Sequence, residues 1–286
     1  GRPLRLVVDG RYRLIRCGTC GTEYLRPDPR LGRDRDARTV SEYWERYKFD
    51  LYADAAVQHD YEQRYTDALR EAERLVGPIG TVLDVGCGIG NFVAFAQARL
   101  IRAYGVDVDA DAIATARSRG LTVAESHELD GMIPDSGVDA VTLWDVIEHL
   151  YEPEPVVRGV LSKLRPGGAL VLETPDVAFP VRRLVLAVHA LSRGRVDLTG
   201  HLYYWEHKIY FTEAGLRAIL GRLGCEVCHV KHETSPRHKM QEIFAHYARE
   251  SMVNRLLAAL WPLLESGTRR LGRGNKLILV ARSRNA

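Results

Sequence analysis

The chain has 286 residues, of which 46% are hydrophobic and 27% are charged, and 40 Lys and Arg against 37 Asp and Glu leave a net charge of +3. The charges are interspersed rather than gathered into a basic stripe, which argues against a nucleic-acid partner. Apolar runs stay below the roughly 18 residues of a membrane span. Five cysteines, one inside a glycine loop, do not resemble a secreted disulfide framework, so we expect a cytoplasmic protein.

Residues 1–40 form a segment rich in Arg and Pro that we separate from the rest of the chain. Short apolar runs predict strands at Leu4–Val8 and Tyr12–Ile15. Cys17 and Cys20 follow as Cys-Gly-Thr-Cys-Gly, a pattern typical of one knuckle of a zinc ribbon. The segment is therefore interpreted as partly zinc-ribbon-like.

A tetrahedral zinc site needs four ligands, and the other cysteine pair is Cys225 and Cys228. These two lie in a predicted strand, where residues three apart point to opposite faces, so we expect them in the core. Cys17 and Cys20 are thus predicted to be a half site, which would hold zinc only in a longer chain that supplies a further pair.

Residues 41–286 are predicted to form one α/β domain. Apolar residues at helix spacing predict a helix from Tyr61 to Val76, followed by Pro78. Strands are then predicted at Val82–Val85, Tyr104–Val108, Val138–Trp144, Ala169–Glu173, Glu226–Lys231 and Lys276–Ala281, with a helix at Asn91–Leu100. This alternation predicts a parallel sheet covered by helices on both faces.

Two stretches, at about residues 176–211 and 235–274, interrupt the alternation and carry apolar residues at helix spacing. Both are too long for simple loops, so we predict lid insertions. Their apolar faces have two explanations. In the first, the two insertions pack on each other and on the sheet. In the second, they enclose an apolar acceptor site or rest on a membrane surface, with Arg182 and Arg183 near a head group.

A glycine loop follows the first strand of the alternation, in Asp84-Val85-Gly86-Cys87-Gly88-Ile89-Gly90-Asn91. Because glycine has no side chain, the strand-to-helix turn stays open, and a ligand can approach the backbone and the helix N-terminus. The fingerprint of dinucleotide-binding proteins has a glycine at the position of Asn91, so this loop departs from that fingerprint. Asp84 suits a cationic ammonium better than a pyrophosphate.

Asp107 stands at the end of the next strand, seventeen residues after Gly90. A carboxylate at this position can accept hydrogen bonds from both hydroxyls of a ribose. Asp109 is expected to cap the helix that follows.

These motifs, together with Asp139–Leu150 and Leu164–Pro175, resemble the class I S-adenosylmethionine-dependent methyltransferases, especially the ubiquinone-biosynthesis-like small-molecule branch. The resemblance covers about residues 80–230. It implies a Rossmann-like, mostly parallel sheet of seven strands with one antiparallel strand, at about Asn275–Arg282. It also implies S-adenosylmethionine as cofactor and S-adenosylhomocysteine as product.

The resemblance further implies that the loop and Asp84 hold the methionine part, Asp107 the ribose, and a residue after the third strand the adenine. The implied cofactor contacts are Asp84, Gly86, Cys87, Gly88, Gly90, Asn91, Asp107, Val108, Glu128, Trp144 and Asp145.

An oxygen acceptor needs a base, and histidine is best tuned for that role near neutral pH. His149 follows the fourth strand, at the sheet edge where α/β sites lie. His201 and His207 lie in an aromatic-rich segment, residues 201–211. All three are candidate bases, and structural roles within a helix or a lid remain open for each.

The leading hypothesis is methyl transfer to a small-molecule or lipid-like acceptor, with oxygen as the favoured acceptor atom. The protein is expected in the cytoplasm, where it either stays free or contacts a membrane peripherally. A binding protein that keeps the fold without turnover is the second hypothesis. An RNA methyltransferase is the third, and the small net charge disfavours it.

Overall fold

A seven-stranded sheet forms the centre of the computed structural model, which describes residues 2–8, 12–27, 46–196, 199, 202–204, 206–248 and 252–284. Its strand order is β10-β11-β8-β7-β4-β5-β6. The strands are β4 (Thr81–Val85), β5 (Arg102–Asp107), β6 (Val123–Glu125), β7 (Val138–Trp144), β8 (Leu164–Pro175), β10 (Cys225–Glu233) and β11 (Lys276–Ser283). The predicted Rossmann-like architecture is confirmed.

The described residues form ten α-helices. They are α1 (Arg46–Ala53), α2 (Ala55–Val76), α3 (Asn91–Gln97), α4 (Ala110–Ser118), α5 (Leu129–Met132), α6 (Pro153–Leu161), α7 (Pro180–Leu191), α8 (Glu213–Arg222), α9 (Arg237–Ala248) and α10 (Met252–Arg270).

One strand of the large sheet runs against the others, as predicted. β11 pairs antiparallel with both β8 and β10, whereas β4, β5, β6, β7 and β8 pair in parallel. The central strands are apolar and buried on both faces, because helices cover each side of the sheet. All the parallel strands therefore present their carboxyl ends at one edge.

The helix α2 begins at Ala55, earlier than the apolar spacing predicts. The Asp54 carboxylate caps it by accepting hydrogen bonds from the amides of Ala56 and Val57. The helix ends at Val76, as predicted, before Gly77 at φ 82°. The helix packs against β8 and β11, and its residues Tyr61 and Tyr65 reach the carboxyl edge of the sheet.

A second, four-stranded antiparallel sheet combines the N-terminal segment with the first insertion. It consists of β1 (Arg2–Val8), β2 (Tyr12–Arg16), β3 (Glu23–Pro27) and β9 (Ile209–Tyr210), in that order. β3 and β9 were not predicted, because β9 is only two residues long and its partner is distant in sequence. The pairing places the segment around residue 208 next to the N-terminal strands.

The second insertion packs on the domain through α9, which contacts both α2 and α10. The Lys239 ammonium of α9 donates a hydrogen bond of 2.7 Å to the hydroxyl of Tyr61 on α2. Among the helices of the described residues, none combines the length and the hydropathy that a membrane span requires.

Candidate functional site

A cavity of about 790 Å³ opens at the carboxyl ends of β4, β5 and β7. The glycine loop and the ends of these strands form one part of its wall. Residues of α1, α2 and α6, together with Glu206 and Lys208, form another part. Most of the predicted cofactor contacts line this cavity: Asp84, Gly86, Cys87, Gly88, Asn91, Asp107, Val108, Trp144 and Asp145.

The glycine loop is held against β5 by its own backbone. The amides of Gly86 and Cys87 both donate to the carbonyl of Val106, at 2.7 and 3.0 Å. Gly86 has φ 73°, and a Cβ there would lie 2.4 Å from Cγ2 of Val146. A side chain would thus collide with the residue after Asp145, and glycine keeps the turn tight.

Gly90 packs differently from the other glycines of the loop. It precedes α3 at φ 80°, and a Cβ there would lie 2.4 Å from Cδ1 of Leu121. Gly90 is not among the residues that line the cavity. The structure therefore places it in the packing beneath the loop.

Asp84 is buried and accepts a hydrogen bond of 2.6 Å from the hydroxyl of Thr142. Burial raises the pKa of Asp84 to about 8, against the effect of the Thr142 hydrogen bond and together with repulsion from Asp107. A buried carboxyl that lines a cavity fits a cationic ligand, because the cation restores the charged form.

Asp107 lies at the end of β5 with both oxygens near backbone amides. Oδ2 accepts from Gly88 at 2.8 Å, and Oδ1 accepts from Asp109 at 2.9 Å. Burial raises its pKa, which the two amide hydrogen bonds oppose. Asp109 caps α4, as predicted, by accepting from the amides of Asp111 and Ala112.

Aromatic side chains form a wall beside the loop. Trp144 packs against Tyr65 and Phe92, with ring centroids 4.7 and 5.6 Å apart. Tyr52, Tyr61 and Tyr65 also line the cavity. None of the three was predicted as a site residue, although the spacing of Tyr61 and Tyr65 places them on one face of α2.

Asp145 lines the cavity, but its carboxylate is already paired with two lysines. It contacts the Lys276 ammonium directly and lies 3.4 Å from that of Lys239. Burial opposes ionisation, yet these two cations hold the pKa of Asp145 well below its usual range. Its backbone adopts φ 55°, a strained conformation that this packing maintains. Neither lysine was predicted as a site residue, because Lys239 comes from the second insertion and Lys276 from the last strand.

His149 lines the cavity, whereas His207 does not. Nδ1 of His149 lies 3.2 Å from the carbonyl oxygen of Glu206. A carbonyl can only accept, so Nδ1 carries the proton and Nε2 carries the lone pair. Burial lowers the pKa of His149 to about 4.

His207 packs behind His149, with ring centroids 4.8 Å apart at an interplanar angle of 80°. Burial, together with His149, lowers its pKa well below the ordinary value. His201, the third predicted base, lies outside the described residues. Of the two candidate bases that the structure describes, His149 lines the cavity wall and His207 does not.

One group of three potential metal ligands occurs among the described residues. Ligand atoms of Glu148, His149 and His207 all lie within 4.8 Å of one another. Glu148 is fully buried and accepts from the Thr174 hydroxyl at 3.0 Å. Burial raises its pKa to about 8. This donor set, one carboxyl and two imidazoles, is of a type that binds divalent transition metals.

Glu128 is not among the residues that line the cavity. Its carboxylate is exposed, accepts from the Glu125 amide at 3.0 Å and pairs with Arg117 at 3.2 Å. These contacts close a local turn. Neighbouring residues line the cavity instead, namely Ser126, His127, Leu129 and Asp130.

The cysteines form no larger metal group within the described residues. Cys17 and Cys20 lie in the turn between β2 and β3, where the Cys17 amide donates to Thr22. Cys225 is buried in the core, as expected, but Cys228 is exposed. The expectation for Cys228 was wrong, because β10 is an edge strand with an irregular register between Val227 and His229.

A family model described as "Methyltransferase domain" matches residues 57–230, more than half of the chain. The chain belongs to this methyltransferase family. The matched span contains the glycine loop, Asp84, Asp107 and His149. The resemblance to class I S-adenosylmethionine-dependent methyltransferases is thereby confirmed.

Curated relatives of the methyltransferase include the ubiquinone biosynthesis O-methyltransferase of Xanthomonas campestris pv. campestris. It is 35% identical over 112 residues, which cover 36% of this chain and 46% of the relative. The chain spans about half the length of this relative, so the match describes the methyltransferase domain and not the whole relative.

Two solved structures share the fold of the methyltransferase. An N-methyltransferase from Haemonchus contortus, in complex with phosphomonomethylethanolamine and S-adenosylhomocysteine, has a TM-score of 0.55 at 15% identity and covers 95% of this chain and 71% of that one. The [4+2]-cyclase SpnF has a TM-score of 0.51 at 22% identity and covers 78% and 82%. At these identities the likeness concerns the fold alone.

S-adenosylmethionine is the cofactor of the methyltransferase, and S-adenosylhomocysteine is the product. The residues present fit it. Buried Asp84 matches an ammonium, Asp107 lies at the strand end expected for a ribose contact, and Gly86 leaves backbone exposed at the loop. The predicted cofactor contacts of individual residues remain proposals.

Proposed function

We propose that the protein methylates an acidic hydroxyl group of a small-molecule acceptor, with His149 as the general base. One observation carries this proposal. His149 lines the same cavity as Asp84 and Asp107, and its Nδ1 donates to the carbonyl of Glu206. In the tautomer that this contact requires, Nε2 is the basic nitrogen of the ring, and it would take the proton from an acceptor.

The protein's own groups hold the reactants in this scheme. Asp84 would accept from the cofactor's ammonium, and Asp107 would accept from a ribose hydroxyl. When bound, the cofactor would supply a methyl group on a sulfonium, with the neutral thioether as a good leaving group. His149 would take the proton of the acceptor hydroxyl as its oxygen is methylated. Alignment supplies most of the rate.

The weak basicity of His149 points to the acceptor's chemistry. A base with a pKa of about 4 removes a proton efficiently only from a hydroxyl that is itself acidic. Phenols ionise near pH 10, as tyrosine does, and so suit this base better than aliphatic alcohols. The O-methyltransferase name of the relative from Xanthomonas campestris also favours oxygen.

An amphiphilic acceptor, taken up at a membrane surface, is the more specific form of this proposal. Leu184 and Leu191 of α7 are 60% and 86% exposed, and Arg183, Arg193 and Arg195 are exposed around them. Residues 180–196 contain no Asp or Glu. An apolar surface with basic residues suits an anionic interface.

The decisive experiment incubates the protein with methyl-labelled S-adenosylmethionine and two panels of acceptors, phenols and aliphatic alcohols, and then with fractionated cell extract. We expect label on phenolic acceptors, and loss of transfer in His149→Gln with cofactor affinity intact. Transfer to nitrogen or carbon acceptors alone would refute the proposed chemistry. Equal activity of His149→Gln and the unchanged protein would refute the assigned base.

A further inference from the structure

An ion pair joins α1 to the residue that orients His149. The Lys48 ammonium donates to both carboxylate oxygens of Glu206, at 3.0 and 3.1 Å. The backbone carbonyl of the same Glu206 lies 3.2 Å from Nδ1 of His149 and accepts its proton. Glu206 therefore contacts α1 through its side chain and the proposed base through its backbone.

The pair between Lys48 and Glu206 is shielded from solvent. Their side chains are 10% and 19% exposed, respectively. Water and salt screen such a pair less than a pair at the surface, and removal of the lysine leaves the carboxylate without this cation at a largely buried position. The contact therefore fixes residue 206 more firmly than a surface ion pair does.

Backbone contacts continue along the segment that Glu206 begins. The amide of Lys208 donates to the carbonyl of Glu148 at 2.7 Å. Between these two residues, the ring of His207 packs against that of His149. The segment from Glu206 to Lys208 thus lies against Glu148 and His149, and Lys48 connects its first residue to α1.

The same helix has a separate contact with the cofactor side of the cavity. Tyr52 lies one turn after Lys48 on α1 and lines the cavity. Its carbonyl accepts a hydrogen bond of 2.8 Å from the side-chain amide of Asn91, the first residue of α3. This contact does not involve Lys48, so replacement of Lys48 should release the acceptor side and leave the cofactor side in place.

We propose that Lys48 is a positioning residue for methyl transfer: through Glu206 it holds the carbonyl that keeps the proton of His149 on Nδ1 and leaves Nε2 as the basic nitrogen. Lys48 is not among the residues that line the cavity, whereas Glu206 and His149 are, so Lys48 acts through Glu206. The inference rests on the proposed function, because it concerns the orientation of the same base.

The first test observes His149 directly and needs no acceptor. Long-range proton–nitrogen NMR spectra distinguish the two tautomers of a neutral imidazole, and they are recorded on the full chain, isotope-labelled in its histidines, with S-adenosylhomocysteine bound. His149→Gln identifies the signals by their loss. We expect one tautomer, protonated on Nδ1, in the unchanged protein and a mixture of both in Lys48→Met.

The second test measures kcat and KM with the phenol that takes up most label in the acceptor screen. Lys48→Met should lower kcat roughly tenfold, because a misplaced base costs rate, while the Kd of S-adenosylhomocysteine stays within about twofold. Lys48→Arg should restore most of kcat and the single tautomer, since a guanidinium also pairs with both oxygens of a carboxylate.

Two further variants make the assignment specific. Glu206→Gln removes the same ion pair and keeps the carbonyl, so it should reproduce the effects of Lys48→Met, and the double variant should lose nothing more. It also decides the matter if Lys48→Met melts at a much lower temperature. Lys231→Met is the matched control and should change neither readout, because Lys231 pairs with Asp67 and Glu233 and is not a cavity-lining residue.

A single His149 tautomer in both Lys48→Met and Glu206→Gln would overturn the proposal, as would a kcat within twofold of the unchanged protein in both. Failure of the proposed function gives a different result. Methyl transfer would then be absent, or unaffected by His149→Gln, while Lys48→Met still shows mixed tautomers of His149.

Discussion

The backbone amide of Gly88 donates a hydrogen bond of 2.8 Å to Oδ2 of Asp107. This contact joins the glycine loop to the acid at the end of the neighbouring strand, so the two halves of the predicted cofactor site form one unit. Asp107 is thus both a proposed ligand-binding group and an anchor of the loop. Substitutions here must separate these two roles.

Replacing Asp107 with alanine should weaken S-adenosylmethionine binding by roughly 10- to 150-fold, because at least one charge-assisted hydrogen bond worth about 1.5–3 kcal/mol is lost. Titration calorimetry measures the change. Asp109→Ala is the matched control, since it removes the cap of α4 and should cost about 0.5–2 kcal/mol of stability with affinity retained. Unchanged affinity in Asp107→Ala would remove Asp107 from the ribose contact.

Cofactor binding should depend on pH through Asp84. Its pKa of about 8 means that the carboxyl is largely protonated below pH 8 in the free protein, whereas the cofactor's ammonium requires the charged form. The dissociation constant should therefore fall by up to about tenfold per pH unit as the pH rises from 6 towards 8, and it should rise again above that range, where the cofactor's own amino group loses its proton. Asp84→Asn should bind weakly with no such slope, and a pH-independent affinity in the unchanged protein would contradict the assignment.

His149→Gln should lower turnover roughly 100-fold while leaving the cofactor's dissociation constant unchanged. Because the pKa of His149 is about 4, its protonation should not reduce the rate between pH 5 and 8. His207→Gln should cost less, since His207 lies behind His149. A greater loss of turnover in His207→Gln than in His149→Gln would assign the role of general base to His207.

The Cys17 thiol should be the most readily alkylated of the cysteines at pH 7.5. Hydrogen bonds from the backbone of Cys20 and Thr19 lower its pKa to about 7, so much of it is thiolate, which is the reactive form. Mass spectrometry after brief iodoacetamide treatment gives the order, with exposed Cys228 as the internal comparison.

The half site of Cys17 and Cys20 should hold zinc weakly or not at all. Elemental analysis should therefore find less than stoichiometric zinc, and one zinc per chain would overturn the half-site prediction.

Vesicles that contain anionic lipid should retain the protein if α7 contacts a membrane. Leu184→Ser with Leu191→Ser should reduce co-sedimentation several-fold, because two exposed apolar side chains are lost. Leu100→Asn is the control, since Leu100 is 97% exposed in the turn after α3. If the unchanged protein ignores such vesicles and methylates only small polar acceptors, the amphiphilic form of the proposal is wrong.

Local patterns in the sequence predicted most strands of the large sheet, and the family resemblance implied its antiparallel strand and the residues proposed for the cofactor. The loop from Gly86 to Gly90 and the acids Asp84 and Asp107 lie within or directly after apolar strands, so neighbouring residues already specify their positions. Asp109 was predicted as a cap for the same reason. The Glu128 carboxylate closes a short turn, which the residue pattern did not predict.

The acceptor side was decided only by tertiary structure. Lys239 and Lys276 neutralise Asp145 from 94 and 131 residues away, and β9 joins β3 across most of the chain. The tautomer of His149 depends on the carbonyl of Glu206, 57 residues later. Such contacts depend on how helices and strands pack together, and no repeating pattern in the sequence records them.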